Sequence, residues 1–220
     1  VVNMDLSTVG DQLETFIPPK YAESWDNVGW MVGPLSESFH GVLITVDVTR
    51  AAIEAALDRD LNLVLSHHPL IFDSLDSLVE GRPVDDLIMK AVRERVGVFT
   101  AHTNADSMPG GLNDLFSDVL ELEDIEPISP LEVDPQAGLG RMGKLPDSAT
   151  IGAIEEALVE SLDLNHVQST GDPDQPIESV AVCTGSGADF ISRDLANRVD
   201  LFVTGDVGHH DVLEAQALDL

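Results

Sequence analysis

The stretch Leu61-Asn-Leu-Val-Leu-Ser-His-His-Pro69 joins a short apolar run to two adjacent histidines. An apolar run of this length that ends in polar residues is typical of a buried strand. Gly41–Val46 and Val96–Ala101 are predicted strands of the same kind, and Val84–Val92 has the apolar spacing of a helix. This alternation of strands and helices predicts an α/β protein with mostly parallel central sheets.

The same alternation returns in the second half of the chain. Val180–Cys183 and Leu201–Thr204 are predicted strands, and each is followed by a helical pattern. Between the halves, Glu121–Gln136 is acidic and contains three prolines, which favours a junction there. We therefore expect one two-lobed domain over the whole chain, with lobes at about residues 1–124 and about residues 137–220.

Both ends of the sequence carry an expectation. Val1–Leu6 lacks a basic segment followed by an apolar stretch, so no secretory signal is expected. Leu218-Asp219-Leu220 closes a predicted helix at a point where the alternation would place another buried strand. We therefore expect the chain to be truncated at its C-terminal end.

The composition is strongly acidic, with 40 Asp and Glu residues against 11 Lys and Arg residues and a formal net charge of −29. Such a surface repels nucleic acid and anionic membranes, so neither is an expected partner. At about 1 M salt the Debye length is only about 3 Å, which screens this self-repulsion. We expect a protein from a salt-loaded cytoplasm, such as that of a halophilic archaeon. An ordinary acidic mesophilic protein is the alternative, which the scarcity of lysine disfavours.

Hydrophobic residues make up 43% of the chain, enough for a packed core, and no apolar run approaches the roughly 18 residues of a membrane span. The single cysteine, Cys183, lies in an apolar stretch and is expected to be an inert core residue. It cannot form an internal disulfide, which favours a reducing, cytoplasmic location.

Polar clusters follow three of the predicted strands, and they hold five of the seven histidines. Ligands of open α/β sheets gather where strands end, and imidazole together with carboxylate suits Zn, Fe, Mn or Ni better than Ca or Mg. A lone histidine in such a place is more often a hydrogen-bonded structural group. The clusters are Ser66–Pro69, Ala101–Asp106 and Thr204–His210, and the first two together favour a metal centre.

The spacing of the histidines leaves alternatives open. Adjacent histidines in an extended segment point to opposite sides, so His67 and His68 share one ion only if the loop turns, and otherwise bind two neighbouring ions. Pro69 restricts the backbone of His68 and favours the second arrangement. His210 and Glu214 are four residues apart on a helix, a spacing that fits either a metal site or a surface pair.

Five motifs occur in order along the chain, and together they are specific. The combination resembles the Nif-three-like family, whose members are called GTP cyclohydrolase I type 2 homologs, in its short form. The resemblance covers nearly the whole sequence. The motifs are Trp25-Asp-Asn-Val-Gly29, Asp47-Val-Thr49, Ser66-His-His-Pro-Leu-Ile-Phe72, Ala101-His-Thr-Asn-Ala-Asp106 with Gly110-Gly-Leu-Asn113, and Thr204-Gly-Asp206.

The resemblance implies a two-lobed α/β fold, a ring-shaped homohexamer and two divalent metal ions in each subunit. It assigns His67, His68 and Asp106 as metal ligands. The family's remaining histidine and glutamate come from a later Gly-His-x-x-Thr-Glu segment that this sequence does not reach. His210 and Glu214 belong to the preceding helix and are not assigned to that role.

The implied activity is that of a metal-dependent hydrolase similar to GTP cyclohydrolase I type 2. A metal-activated water would open the imidazole ring of a purine, in a small-molecule substrate such as a nucleotide. His102 and His210 are candidates for proton transfer. A metal-binding assembly or regulatory protein without hydrolase activity is the alternative. Both readings require His67, His68 and Asp106 to surround one small volume.

Overall fold

Two separate four-stranded sheets organise the chain in a computed structural model that describes residues 4–220. They belong to two compact units, Val1–Ala105 and Asp106–Leu220, and this architecture confirms the predicted two-lobed α/β fold class. The first three residues, part of the segment considered for a secretory signal, lie outside the described residues. Over residues 4–220, the structure contains no helix with the length and apolar character that a bilayer crossing requires.

The first unit builds its sheet in the order β1-β4-β3-β2. Strands β2, β3 and β4 are parallel, as predicted, and β1 pairs antiparallel with β4 at one edge. The elements of this part of the chain are α1 (Leu6–Phe16), a 3-10 turn (Pro19–Tyr21), β1 (Gly29–Val32), β2 (Val42–Thr45), α2 (Arg50–Leu57), β3 (Leu63–Ser66), α3 (Pro83–Arg93), β4 (Gly97–Thr100) and the short α4 (Thr103–Ser107).

The core of the first unit lies on both faces of this sheet. Side chains alternate along a strand, so Val64 and Val98 face one side, where Ile53 of α2 packs against them. Leu63 and Phe99 face the other side and contact α1. Because both faces are covered, β3 and β4 contain no polar residue before the Ser66 and Thr100 that end them, and this pattern made them recognisable in the sequence.

The second unit has the sheet order β5-β6-β7-β8, in which only β7 and β8 are parallel. The prediction of mostly parallel sheets is therefore corrected here. A two-residue loop joins β5 to β6, and such a short connection permits only antiparallel pairing. The elements are α5 (Leu112–Val119), β5 (Glu123–Leu131), β6 (Asp134–Thr150), α6 (Ile151–Ser161), β7 (Pro176–Ser186), a 3-10 turn (Ala188–Phe190), α7 (Arg193–Ala196), β8 (Leu201–Asp206) and α8 (His209–Ala217).

The junction expected at Glu121–Gln136 is occupied by this β5–β6 hairpin, and the boundary between the units falls earlier, after Ala105. The lobe limits expected from the sequence are corrected accordingly. Proline donates no backbone hydrogen bond and is tolerated in a strand at the edge of a sheet. β5 is such an edge strand, so Pro127 and Pro130 do not break it.

A buried arginine ties the second unit together. The Arg141 side chain lies on β6 and is almost fully buried. Its guanidinium donates to the Asp114 carboxylate of α5 and to the carbonyl oxygens of Gly138 and Gly140, at 2.6 and 2.9 Å. A buried charge is stable only when it is paired and hydrogen-bonded, and these contacts meet that condition.

Candidate metal centre

Four strands of the first sheet bring residues together at one end of the sheet, where β2, β3 and β4 terminate. Parallel β2, β3 and β4 end in register, with Thr45 opposite Ser66 and Ser66 opposite Thr100. Antiparallel β1 begins at this end, with Gly29 opposite Thr100. Residues that follow β2, β3 and β4, and those that precede β1, therefore meet there; they include Asp26, Asp47, His67, His68 and His102.

The chain bends as it leaves β3. The backbone N–H groups of His67 and His68 still donate to the carbonyls of Thr45 and Val46, at 3.1 and 2.9 Å, while the chain bends at both histidines. Their ring centroids are only 5.2 Å apart. The loop thus turns, rather than staying extended as Pro69 had favoured.

His102, which follows β4, completes a group of three imidazoles. Its ring centroid lies 5.2 Å from that of His67 and 5.8 Å from that of His68. One nitrogen from each of the three rings lies within 4.8 Å of the others. Among His, Cys, Asp and Glu side chains of residues 4–220, this is the group of three or more that is close enough to hold an ion.

Each imidazole is held through its Nδ1 atom. His67 Nδ1 lies 2.9 Å from the Ala101 carbonyl oxygen, and a carbonyl can only accept a hydrogen bond. His68 Nδ1 lies 2.8 Å from Asp47 Oδ1, and His102 Nδ1 lies 2.8 Å from Asp26 Oδ1. Nδ1 is thus assigned as the protonated nitrogen of each ring, which makes Nε2 the nitrogen suited to ligate a metal. This arrangement is the one that metal-ligating histidines adopt.

Asp26 is the most constrained of the acceptors, since its side chain is fully buried. It accepts hydrogen bonds from His102, from the backbone and hydroxyl of Thr103, and from the backbone N–H of Asn27. Burial by itself raises the pKa of Asp26, but these hydrogen bonds outweigh burial and bring the pKa to about 2. Asp26 is therefore an ionised acceptor that fixes the ring of His102.

The centre is accessible on the side of His68. The His68 side chain is 51% exposed, and its partner Asp47 is exposed as well, whereas His102 is mostly buried. A rigid, buried side and an open side together suit a site that holds an ion and also admits water or a small molecule. The three available imidazole nitrogens fit a borderline transition metal.

The third ligand implied by the resemblance, Asp106, lies in α4 and belongs to the second unit. It is buried, and its Oδ1 lies 3.1 Å from Thr184 Oγ1. Its role as a ligand, and its convergence with His67 and His68, stay predictions. Cys183 is buried, as expected; burial, followed by the nearby Asp106 charge, raises the pKa of its thiol to about 12.

The histidines of α8 are arranged differently. His209 and His210 are exposed at the start of the helix, and their ring centroids are 5.5 Å apart. Glu214 is exposed too, and neither it nor His210 belongs to a group of three metal-ligating side chains within residues 4–220. His210 and Glu214 are therefore exposed side chains of one helix that lie outside the group of His67, His68 and His102.

Three residues of the candidate site have no individual role as ligand or anchor in the sequence-based prediction. His102 belongs to a predicted metal-binding cluster but is assigned individually only to proton transfer, although it follows a strand that neighbours β3, a position equivalent to that of His67. Asp26 and Asp47 lie within quoted motifs but were given no role. Their position is what could have identified them. Asp26 precedes β1 and Asp47 follows β2, and both strands have that terminus at the end of the sheet where the histidines lie.

Comparisons with known proteins place this site in a family. The chain is 32% identical to the GTP cyclohydrolase 1 type 2 homolog of Lactococcus lactis over 223 residues, covering 99% of this chain and 84% of the relative. Its structure is similar to that of Staphylococcus aureus protein SA1388, with a TM-score of 0.88, 26% identity and coverage of 99% and 84% of the two chains. Reduced HcgD from Methanocaldococcus jannaschii matches with a TM-score of 0.82 and 27% identity, over 100% of this chain and 86% of that one. The sequence profile of one family, Duf34/NIF3 (NGG1p interacting factor 3), matches residues 4–220. The chain therefore belongs to the Duf34/NIF3 family.

Proposed function

We propose that His67, His68 and His102 bind a divalent transition-metal ion at the centre of a hydrolase. The observations that carry this proposal are the approach of one nitrogen from each of the three rings to within 4.8 Å of the others and the hydrogen bond that orients each ring at Nδ1. By resemblance to the family, we also propose Asp106 as a further ligand. The same resemblance supports a second metal ion in each subunit. Zn, Fe, Mn and Ni all suit imidazole ligands.

An ion bound there supplies water that ionises near neutral pH, which is the nucleophile that hydrolysis requires. The protein's own part is to hold the ligands in place. The Ala101 carbonyl orients His67, Asp47 orients His68, and Asp26 orients His102. The exposed side of His68 admits water and substrate to the open face of the centre.

The name of the relatives suggests the reaction. Several relatives are called GTP cyclohydrolase 1 type 2 homologs, and we propose the same reaction class for this chain: hydrolytic opening of a purine imidazole ring in a nucleotide. An anionic nucleotide is repelled at long range by a protein of net charge −29. Binding would therefore depend on the ion and on screening by salt.

The test begins with metal content. The protein is dialysed against Zn, Fe(II), Mn or Ni, its bound metal is measured, and each form is incubated with GTP in concentrated KCl. A formamidopyrimidine product, detected by mass spectrometry, supports the hydrolase. Bound metal without turnover of GTP would overturn that activity and favour the metal-binding assembly or regulatory protein. Absence of bound metal in every form would overturn the centre itself.

We further propose a salt-loaded cytoplasm, such as that of a halophilic archaeon, and a homohexamer. The excess of acidic residues supports the first proposal, because only screening removes their mutual repulsion. We expect the thermal midpoint to rise as KCl is increased from about 0.1 M to about 1 M, over which the Debye length falls from about 10 Å to about 3 Å. Analytical ultracentrifugation in the same buffers tests the hexamer.

A further inference from the structure

The loop that carries Trp25 is fixed next to the histidine group. Its neighbour Asp26 accepts the hydrogen bond from His102, and Asn27 Nδ2 donates to the carbonyl oxygen of Ile71 at 2.6 Å. The loop is thereby tied both to the end of β4 and to the segment that follows Pro69. Trp25 is held beside His102 with its position set by the two residues that follow it.

Trp25 does not pack into the core. The Trp25 side chain is 57% exposed. The other tryptophan, Trp30, shows the contrast, since its ring packs edge-to-face against the buried Phe99 at 5.3 Å. Trp25 is thus an indole that the fold positions and leaves accessible.

Phe72 extends the exposed aromatic surface. It comes from the segment tied down by Asn27, is 49% exposed, and its ring centroid lies 6.1 Å from that of Trp25. Trp25 also lies 6.4 Å from His102, in an edge-to-face arrangement. These separations are those of aromatic rings in contact. Two large rings thus form an accessible surface, the aromatic platform, beside one ring of the proposed metal centre.

We infer that the aromatic platform, Trp25 and Phe72, binds a planar heteroaromatic ring of the substrate by stacking. The inference rests on the proposed function, because it gives the substrate a ring to be held near the centre. Every heteroaromatic ring has a face that can stack on an aromatic side chain, and this contact needs no charge complementarity. It therefore survives the high salt that an acidic protein requires, where attraction between charges is screened.

The negative charge of the protein favours a mode of substrate binding, such as stacking, that does not depend on attraction between charges. Two carboxylates, Asp26 and Asp47, hold imidazoles of the centre, and Asp73 directly follows Phe72 in the sequence. Electrostatic attraction to an anionic substrate is therefore poor, apart from what a bound ion supplies. Stacking is the mode of binding that the two exposed rings offer and that these carboxylates do not oppose.

The test measures binding rather than turnover. Guanosine, adenosine and nicotinamide are titrated into the chain in concentrated KCl, with and without bound metal, and the heat of binding is recorded by isothermal titration calorimetry. Ribose serves as the probe without an aromatic ring. The variants are Trp25→Leu, Trp25→Phe and Phe72→Ala, with Leu78→Ala as the control, since Leu78 is also 49% exposed and lies outside the platform. Circular dichroism confirms that each variant is folded.

We expect at least one of the ring compounds to bind with a measurable heat and ribose to give none. Trp25→Leu should weaken the binding by about tenfold, the loss typical of a stacking residue, and Trp25→Phe should restore most of it. Leu78→Ala should bind as the original chain does. If no ring compound binds, or if Trp25→Leu binds as tightly as the original chain, the inference is overturned.

The outcomes separate this inference from the proposed function. If the original chain binds nucleosides but binds no metal and turns over no GTP, and Trp25→Leu loses the nucleoside binding, the platform is supported and the hydrolase is overturned. A chain that binds metal and opens GTP, but whose affinity for ring compounds is unchanged in Trp25→Leu and Phe72→Ala, would retain the hydrolase and lose the platform. Metal content measured on every variant makes this distinction direct.

Discussion

Each unit of the chain places two adjacent histidines after a strand, and the two pairs differ in what holds their rings. His67 and His68 follow β3, and each donates from Nδ1 to a fixed oxygen. His209 and His210 follow β8 and are exposed, and no hydrogen bond to either ring is found within residues 4–220. Yet the ring separations are almost equal, at 5.2 and 5.5 Å.

The difference predicts that the two pairs differ in how readily they bind a metal ion. A ring without a hydrogen bond must lose its rotational freedom when it binds an ion, and its protonated nitrogen can be either one. A ring held at Nδ1 has already lost that rotation, and its ligating nitrogen is defined. Anchored imidazoles of the first unit are therefore expected to bind metal far more tightly than the exposed imidazoles of the second.

The largest expected effect comes from removing one imidazole of each pair. His67→Ala should abolish stoichiometric metal binding, because only two of the three anchored nitrogens remain. His210→Ala should leave metal content unchanged. Both are measured by elemental analysis after dialysis against zinc. Full zinc occupancy in the His67→Ala variant, or loss of zinc in the His210→Ala variant, would reverse the comparison.

The second unit uses its most buried charge for stability rather than for binding. Arg141→Met should reduce the free energy of unfolding by roughly 3–5 kcal/mol, because Asp114 and two carbonyls lose a buried partner. Denaturant titration gives this value, and zinc affinity should be that of the original chain. A variant with unchanged stability would show that the buried pair contributes nothing net.

Removing an anchor instead of a ligand should have an intermediate effect. Asp26→Ala leaves all three imidazoles in place but frees the ring of His102, which typically costs about 10–100-fold in metal affinity. Calorimetric titration with zinc measures the change, and Asp118→Ala on the exposed face of α5 is the matched control. Equal affinity in the two variants would mean that anchoring does not matter here.

The smallest effect concerns a carboxylate of the second unit with a purely local role. Burial raises the pKa of Asp200, but hydrogen bonds from the Ser179 hydroxyl and from the backbone N–H groups of Glu178 and Ser179 outweigh it and lower the pKa below 3.8. A carboxyl group whose pKa is lowered by folding stabilises the fold at pH values above its ordinary pKa. This contribution is lost as the pH falls through the pKa of the folded state.

Ser179→Ala removes the hydroxyl donor and should therefore reduce stability at pH 7 slightly, with the difference disappearing in acid. Thermal midpoints measured between about pH 7 and about pH 3 test this, and zinc binding should not change. A difference that grows in acid would contradict the assigned sign.

The fold was predictable where each element buries its own apolar pattern. β3 and β4 lie within a sheet covered on both faces, so their sequences are continuously apolar and gave nearly correct boundaries. β5 was missed because edge strands tolerate the prolines and acidic residues that otherwise indicate a loop. A local stretch of sequence does not indicate which strand lies at the edge of a sheet. The acidic, proline-containing stretch was therefore interpreted as a junction between lobes, although it forms β5 and the start of β6.

The site was predictable to the same extent. His67 and His68 follow a strand directly and were recognised from that position, whereas the participation of His102 depends on the pairing of β3 with β4. Asp26 reaches His102 from 76 residues away because β1 pairs antiparallel with β4, a pairing that no local pattern indicates. Contacts of this kind follow from sheet order, and sheet order is set by the whole unit.

One anchor differs from the other two in kind, since His67 is held by the main chain at Ala101 and not by a side chain. Every amino acid has a carbonyl oxygen, so no substitution at position 101 can delete this acceptor. A substitution at position 101 therefore leaves the acceptor for His67 in place, whereas a single substitution of Asp47 or Asp26 removes the acceptor for His68 or His102. Relatives that lose function gradually should therefore retain the geometry of the first imidazole longest.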